Sequence, residues 1–226
     1  MRSRDANAEA VDEPGRTRPA AEHVATVCGL VLAAGGGRRF GGVKQLSPLA
    51  GRPLLEHALA AMGAASVARF AVVLGASADD VLAAVDLHGA EPVQCHDWRE
   101  GQAASLRAGV ASLSDADAVI VTLGDQPLIS ADAIDRVAAA RSGGADGVRA
   151  TYGGRPGHPI LLKRSLLNRV PGLRGDTGAR ELLAGADLAS VDCEDVAQPN
   201  DVDTPARLAE LERRLDRGWA DGTAHG

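Results

Sequence analysis

The sequence has few cysteines, no long apolar run and no excess of positive charge. Its three cysteines lie far apart and include no C-x-x-C pair, so neither a disulfide framework nor a zinc knuckle is indicated. No apolar run approaches the length that spans a bilayer. A formal net charge of −6 without long basic runs argues against a nucleic-acid-binding protein. The default expectation is a cytoplasmic protein that binds neither nucleic acid nor membrane.

One α/β domain is expected from the chain length. A chain of 226 residues with 45% apolar residues builds a full core without requiring two domains, and no internal repeat or low-complexity linker divides it. Residues 1–24 mix both charge signs and lack the apolar segment of a signal peptide, which predicts a disordered N-terminal extension. Residues 217–226 are expected to form a flexible tail. The folded domain is therefore predicted over residues 25–216.

Predicted strands and helices alternate along the chain. Apolar, β-branched-rich runs predict strands, and alanine-rich runs with apolar residues at helical spacing predict helices. The predicted strands are 27–33, 70–74, 118–123, 159–162 and 188–193, and the predicted helices are 54–62, 78–85, 102–113, 131–140, 176–184 and 204–215. This alternation predicts a single-domain, Rossmann-like sandwich, with a mostly parallel central sheet and helices on both faces.

A glycine-rich, basic loop follows the first predicted strand, within VLAAGGGRRFGGVKQL (residues 31–46). A dinucleotide fingerprint is excluded because Phe40 stands where its third glycine would be, and a P-loop is excluded because Val43 separates Gly42 from Lys44. A strand, a glycine-rich turn and basic side chains suit a polyphosphate, which backbone N–H groups approach and Arg and Lys neutralise. The alternative is a mobile surface turn with scattered arginines.

The same stretch closely resembles the L-A-A-G-x-x-x-R-[MF]-G-…-K signature of nucleotidyltransferases related to the molybdenum-cofactor guanylyl- and cytidylyltransferases. The resemblance implies a nucleotide-diphospho-sugar transferase-like fold and a loop that wraps the triphosphate of an incoming NTP. Arg39 and Lys44 fall on the family arginine and lysine, which implies catalytic roles. The other nucleotide-binding residues implied for this loop are Ala33, Ala34, Gly35, Gly36, Gly37 and Arg38.

Two acidic segments resemble the metal-binding parts of the same family. In VTLGDQPLIS (residues 121–130), Asp125 follows a buried strand at the carboxyl edge of the sheet, where α/β proteins bind ligands. It is the expected ligand of Mg²⁺, which prefers one or two carboxylates together with substrate phosphates. NDVDTPARL (200–208) resembles the closing family motif, which implies Asp201 as a second metal residue with Asp203 behind it. The alternatives are a simple turn at Asp125 and a helix cap at Asp203.

Three further segments resemble the family. REGQAASLRAG (99–109) implies that Gly101 and Ser105 lie against the nucleotide base, or else form only a helix N-terminus. GRPGHPILL (154–162) and GDTGARELL (175–183) resemble the cytidylyltransferase branch and imply acceptor-binding roles for His158 and Asp176. The alternatives are a packed turn residue for His158 and a helix cap for Asp176.

The resemblance implies a Mg²⁺-dependent transfer of CMP from CTP to a molybdopterin-type cofactor, with release of pyrophosphate. The L-A-A-G tetrad at 32–35 favours CTP over GTP, and the G-D-Q-P, G-H-P and G-D-T-G-A-R segments agree. The implied partners are CTP or another NTP, a phosphorylated pterin-type acceptor and a client molybdenum hydroxylase. Two alternatives stay open: an NTP transferase of this fold with a different phosphorylated acceptor, and a non-catalytic carrier or maturation protein for the molybdenum cofactor.

Overall fold

The computed structural model describes residues 25–37, 40–176 and 178–220. The strands are β1 (Val27–Ala33), β2 (Pro48–Leu49), β3 (Arg52–Pro53), β4 (Phe70–Leu74), β5 (Glu91–Gln94), β6 (Ala118–Leu123), β7 (Gly147–Tyr152), β8 (Arg155–Lys163) and β9 (Leu188–Asp192). The helices are α1 (Leu54–Ala64), α2 (Ala78–Ala84), α3 (Gln102–Ser112), α4 (Ala131–Ala139), α5 (Arg164–Leu167), α6 (Gly178–Leu183) and α7 (Pro205–Ala220). Short 3-10 turns span Lys44–Leu46, Trp98–Glu100, Ala140–Ser142 and Val170–Gly172.

Seven of these strands form one sheet in the order β5-β4-β1-β6-β8-β7-β9. Strand β1 lies between β4 and β6 and is parallel to both, while β8 is antiparallel to its two neighbours, β6 and β7. At the two edges, β5 is parallel to β4 and β9 is parallel to β7. The predicted α/β architecture with a mostly parallel central sheet is therefore confirmed.

The central strands are apolar along their whole length because helices cover both faces of the sheet. In β1, Val27, Val31 and Ala33 pack on the face covered by α1, α2 and α4. The alternate residues Cys28, Leu30 and Leu32 pack on the opposite face, against residues of α3, α5 and α6. Burying one Val or Leu side chain contributes about 1.5–3 kcal/mol, so these two layers stabilise the edge on which the site is built.

Several boundaries differ from the predictions. Strands β5 and β7 were not predicted, and β8 covers Arg155–Lys163 instead of 159–162. Strand β5 lies at the sheet edge and is largely exposed, so it lacks the apolar run that predicts a buried strand. Helix α7 continues past residue 215 to Ala220, so the predicted tail 217–226 begins within a helix. The predicted extension 1–24 and residues 221–226 lie outside the described residues.

The packing of β1, β6 and α7 places three loops at one edge of the sheet. The backbone N–H of Gly124, after β6, donates to the carbonyl of Leu32 at 2.9 Å, which joins the ends of β1 and β6. The N–H of Val202, before α7, donates to the carbonyl of Asp125 at 2.9 Å. A separate apolar cluster of Leu49, Leu54, Val202, Leu208 and Leu211 anchors α7. Within the described ranges, no helix is long and apolar enough to cross a membrane.

Candidate active site

A cleft of about 510 Å³, here called the main cleft, opens at the carboxyl edge of the sheet. Its volume is within the range of small-molecule sites. Most of the residues predicted to bind nucleotide or metal line it: residues 34–37, Lys44, Gly101, Ser105, Asp125 and Asp203. Asp176, predicted to bind the acceptor, lines it as well. Ala33 lies just before these loop residues, buried at the end of β1. Arg38 and Arg39 lie outside the described part of the chain, and their roles stay predictions.

The glycine-rich loop is held by a buried glutamine that the sequence pattern did not predict. The Nε2 group of Gln45 donates to the carbonyl of Ala33 at 2.7 Å and to that of Gly35 at 3.0 Å. Gly37 has a φ of +56°, and a Cβ there would lie 2.8 Å from the carbonyl oxygen of Gly42. Glycine is therefore required at this position. Residues 34–37 are thus held where they line the main cleft.

Lys44, in the 3-10 turn that follows the glycines of this loop, lies between two carboxylates. Its Nζ atom is 2.7 Å from Oδ2 of Asp125 and 3.3 Å from Oδ1 of Asp203. The side chains of Lys44 and Asp125 are only 14% and 24% exposed, so the pair is screened less than a surface salt bridge. The three charges come from the 3-10 turn after the glycine loop, the end of β6 and the segment before α7.

This arrangement suits a divalent cation. Two carboxylate oxygens already converge on one positively charged atom, and oxygen ligands of this type are those that Mg²⁺ prefers. Within the described ranges, no group of three or more His, Cys, Asp or Glu side chains is arranged to hold a metal ion. Asp125 and Asp203 could hold such a cation, with the phosphates of a nucleotide as further ligands.

Asp201, the second residue predicted to bind the metal, is held by a contact of its own beside Asp125 and Asp203. Its Oδ1 atom accepts a hydrogen bond from Nε2 of Gln126 at 2.6 Å, and the residue does not line the main cleft. Burial raises the pKa of Asp201; the Gln126 hydrogen bond opposes this, while the charges of Asp125 and Asp203 add to it. Asp203, which was expected behind Asp201, is the carboxylate that shares Lys44 with Asp125.

Gly101 and Asp176 meet at the start of α3. Gly101 has a φ of +114°, and a Cβ there would lie 2.5 Å from Oδ1 of Asp176. The same Oδ1 accepts a hydrogen bond from the N–H of Gln102 at 3.3 Å, and the carbonyl of Gly175 accepts one from Ala103 at 3.1 Å. Asp176 is therefore a cap of α3, a helix distant in sequence. Ser105, one turn farther along α3, is buried and faces the main cleft.

Trp98 lines the main cleft and is another residue that the sequence pattern did not predict. A Cβ on Gly36 would lie 2.8 Å from its ring, so the glycine loop packs directly against the indole. The guanidinium of Arg99 lies 4.5 Å from the ring centroid, a cation–π distance. The position of Trp98, directly before the segment 99–109 predicted to contact the base, is the signal that could have identified it.

His158 lines a second cleft, of about 670 Å³, together with Gln102, Arg149, Ile160, Asp176 and Arg180. Gln102 and Asp176 line both clefts, so the two are adjacent. The Tyr152 hydroxyl donates to the backbone carbonyl of His158 at 2.6 Å. Burial, with a smaller contribution from the Arg149 charge, lowers the pKa of His158 to about 4. The imidazole is therefore neutral at pH 7.

The chain is similar to a known domain family and to several known proteins. Residues 29–192 match the MobA-like NTP transferase domain. The nicotine blue oxidoreductase of Paenarthrobacter nicotinovorans is 34% identical over 200 residues, which cover 82% of this chain and 96% of that protein.

Two solved structures are similar over most of both chains. The homologue of Mycobacterium tuberculosis Rv0371c from Mycobacterium sp. strain JC1 is 31% identical with a TM-score of 0.74, covering 84% of this chain and 97% of that one. Rv0371c of M. tuberculosis in complex with manganese is 27% identical with a TM-score of 0.71, covering 83% and 98%.

Proposed function

Because this chain belongs to the MobA-like NTP transferase family, we propose that it transfers CMP from CTP to a molybdopterin-type cofactor and releases pyrophosphate. The observation that carries the proposal is Lys44 held between Asp125 and Asp203 beside the glycine-rich loop. These charged groups suit phosphates and a divalent cation. One relative has a name that describes an oxidoreductase, but this arrangement favours phosphate chemistry, because Lys44 and a cation held by the two carboxylates would stabilise phosphate charge.

The reaction requires positioning and charge stabilisation more than acid–base chemistry. A phosphate acceptor is already ionised at neutral pH, so no strong base is needed to activate it. Lys44 and Arg39 would neutralise the triphosphate, while the backbone held by Gln45 would approach it closely. Asp125 and Asp203 would hold Mg²⁺, which neutralises phosphate charge and polarises the group under attack. The manganese complex of the similar Rv0371c supports a divalent metal in this family.

The nucleotide and the acceptor are assigned to the two clefts. The triphosphate would lie along residues 34–37, with the base toward Trp98, Gly101 and Ser105. We propose CTP instead of GTP because the segments L-A-A-G, G-D-Q-P and G-D-T-G-A-R resemble the cytidylyltransferase branch. The acceptor would bind in the second cleft, beside His158 and Asp176. Its phosphate would then lie near Gln102, which lines both clefts. A client molybdenum hydroxylase would then receive the product.

The test is to incubate the protein with each NTP, Mg²⁺ and purified molybdenum cofactor, and to measure pyrophosphate. We expect release with CTP that depends on the cofactor and is lost in Asp125→Asn. Release only with GTP would overturn the choice of CTP. Release only with another phosphorylated acceptor would assign the chain to a different transfer reaction. No release with any pair, although the cofactor binds, would favour the carrier alternative.

A further inference from the structure

We propose that Arg149 and Arg180 in the second cleft bind an anionic phosphate group of the acceptor and so determine which acceptors are used. The inference deepens the function proposed above and rests on it for the identity of the acceptor. It starts from the position of the second cleft, which shares Gln102 and Asp176 with the main cleft. A molecule in the second cleft therefore reaches the nucleotide without leaving the protein surface.

Arg149 is a half-buried arginine without a carboxylate partner. It lies on β7, and among the described residues its one hydrogen bond is a long one, 3.4 Å, from Nε to the carbonyl of Gly157. Burial lowers its pKa, because removal from water disfavours the charged guanidinium. A guanidinium has five N–H donors in a planar fork, and here most of that fork is left for a ligand.

Three other arginines of this protein have carboxylate partners. Arg136 forms two contacts with Asp195, at 2.6 and 3.0 Å, and Arg107 lies 2.6 Å from Glu100. Arg69 is paired with Glu91 and Asp115. Within the ranges that the structure describes, neither Arg149 nor Arg180 forms such an ion pair, although both line one cleft. Two unpaired guanidinium groups facing a common space are an arrangement that binds an anion.

The remaining lining of the second cleft limits the kind of acceptor. Asp176 carries the one acidic side chain in this lining, and its Oδ1 atom already accepts from the N–H of Gln102. His158 is neutral at pH 7, so its ring offers hydrogen bonds without adding charge. Ile160, Leu183 and Ala184 form an apolar part of the wall. The volume of about 670 Å³ exceeds that of a phosphate and leaves room for a ring beside the apolar part.

The experiment uses two probes that do not require turnover, 1-naphthyl phosphate and 1-naphthol. Binding to the full chain is measured by calorimetry with CTP present at saturation, so that the glycine-rich loop is occupied. We expect the phosphate to bind and naphthol not to bind. Arg149→Gln and Arg180→Gln should each weaken phosphate binding by about tenfold or more, because each removes charge-assisted hydrogen bonds. Arg155→Gln, an exposed arginine of β8 outside both clefts, is the matched control.

The outcomes separate this inference from the proposed reaction. If Arg149→Gln and Arg180→Gln bind naphthyl phosphate as Arg155→Gln does, the inference is overturned even where pyrophosphate release from CTP is observed. If both variants lose binding while no pyrophosphate is released, the anion site stands and the proposed reaction fails. Arg180 is exposed, so its substitution leaves folding unchanged and keeps the test valid where Arg149→Gln unfolds the protein.

Discussion

The ammonium of Lys44 lies 2.7 Å from a carboxylate oxygen of Asp125, and this contact joins the glycine-rich loop to the end of β6. The same ammonium lies 3.3 Å from Asp203. Lys44 was predicted to neutralise a triphosphate, yet in this structure it neutralises the two residues that suit a metal ion. The lysine and a divalent cation would therefore compete for the same oxygen atoms until phosphate groups are present to bind Lys44.

Replacing Lys44 is expected to have opposite effects on metal and nucleotide. Lys44→Gln removes the competing cation, so Mn²⁺ should bind about tenfold tighter without nucleotide, a change of about 1.4 kcal/mol. Turnover should fall by about 10²-fold or more, as when one preorganised charge stabiliser is removed. Calorimetry with MnCl₂ measures the first effect, with Lys163→Gln as the control. Equal or weaker Mn²⁺ binding in Lys44→Gln would show that the lysine does not compete.

Asp203 and Asp201 are expected to differ in importance. Asp203→Asn removes a carboxylate beside Lys44, and we expect turnover to fall by about 10²-fold or more. In Asp201→Asn the amide oxygen still accepts from Gln126, so the loss should be less than about tenfold. Asp201→Ala removes that acceptor as well and should cost more than Asp201→Asn. Steady-state rates with CTP measure the loss of turnover in each variant. A larger loss in Asp201→Asn than in Asp203→Asn would mean that Asp201, and not Asp203, is the more important carboxylate.

Substitutions of Gly37 and Gly42 by alanine test whether the shape of the loop matters, because only the first of them causes a steric conflict. Gly37→Ala places a Cβ 2.8 Å from the Gly42 carbonyl at a φ of +56°, so the loop must shift. The left-handed backbone alone costs about 1–2 kcal/mol for a residue with a Cβ. Gly42→Ala meets no atom within 4 Å and should be nearly neutral. We expect nucleotide affinity, measured by calorimetry, to fall in Gly37→Ala only; equal affinities would mean that the loop shape does not matter for binding.

The central fold was predictable because burial on both faces leaves a strong pattern in the sequence. Strands β1, β4 and β6 match the predicted bounds since every position of β1 and β4, and nearly all of β6, is buried. Strand β7 escaped prediction because Arg149 and Thr151 interrupt its apolar run. Arg149 lines the second cleft, so the residue that obscured the strand is one that we propose to bind the acceptor.

The site was predictable where its chemistry lies within one short motif. The glycine-rich loop and G-D-Q-P are such motifs, and the structure brings Lys44 and Asp125 together as expected. Gln45 and Trp98 escaped prediction because their roles depend on contacts formed only after folding, with the carbonyl of Ala33 and the backbone of Gly36. The positions of Asp201 and Asp203 likewise depend on the segment before α7, whose path is set by contacts such as that of the Val202 N–H with the Asp125 carbonyl.

His158 is expected to make folding stability depend on pH. Its pKa of about 4 in the folded protein is below the ordinary value of 6.5, so the folded state disfavours the charged ring. Above pH 6.5 the ring is neutral in both states and its contribution to stability is complete. As the pH falls from 6.5 toward 4, the unfolded chain binds a proton that the folded chain does not, and stability is lost.

The variant His158→Gln has no ionisable side chain at this position and isolates the effect. Between pH 7 and pH 5, the wild-type protein should lose on the order of 1 kcal/mol more stability than His158→Gln, after allowance for the partial exposure of the ring. For a protein of this size that corresponds to about 2–4 °C in Tm. His57, whose pKa is also lowered by burial, is present in both proteins and cancels in the comparison. Thermal unfolding curves at several pH values provide the measurement. If the Tm values of the two proteins fall in parallel with pH, the His158 ring is solvated and is not held neutral by the second cleft.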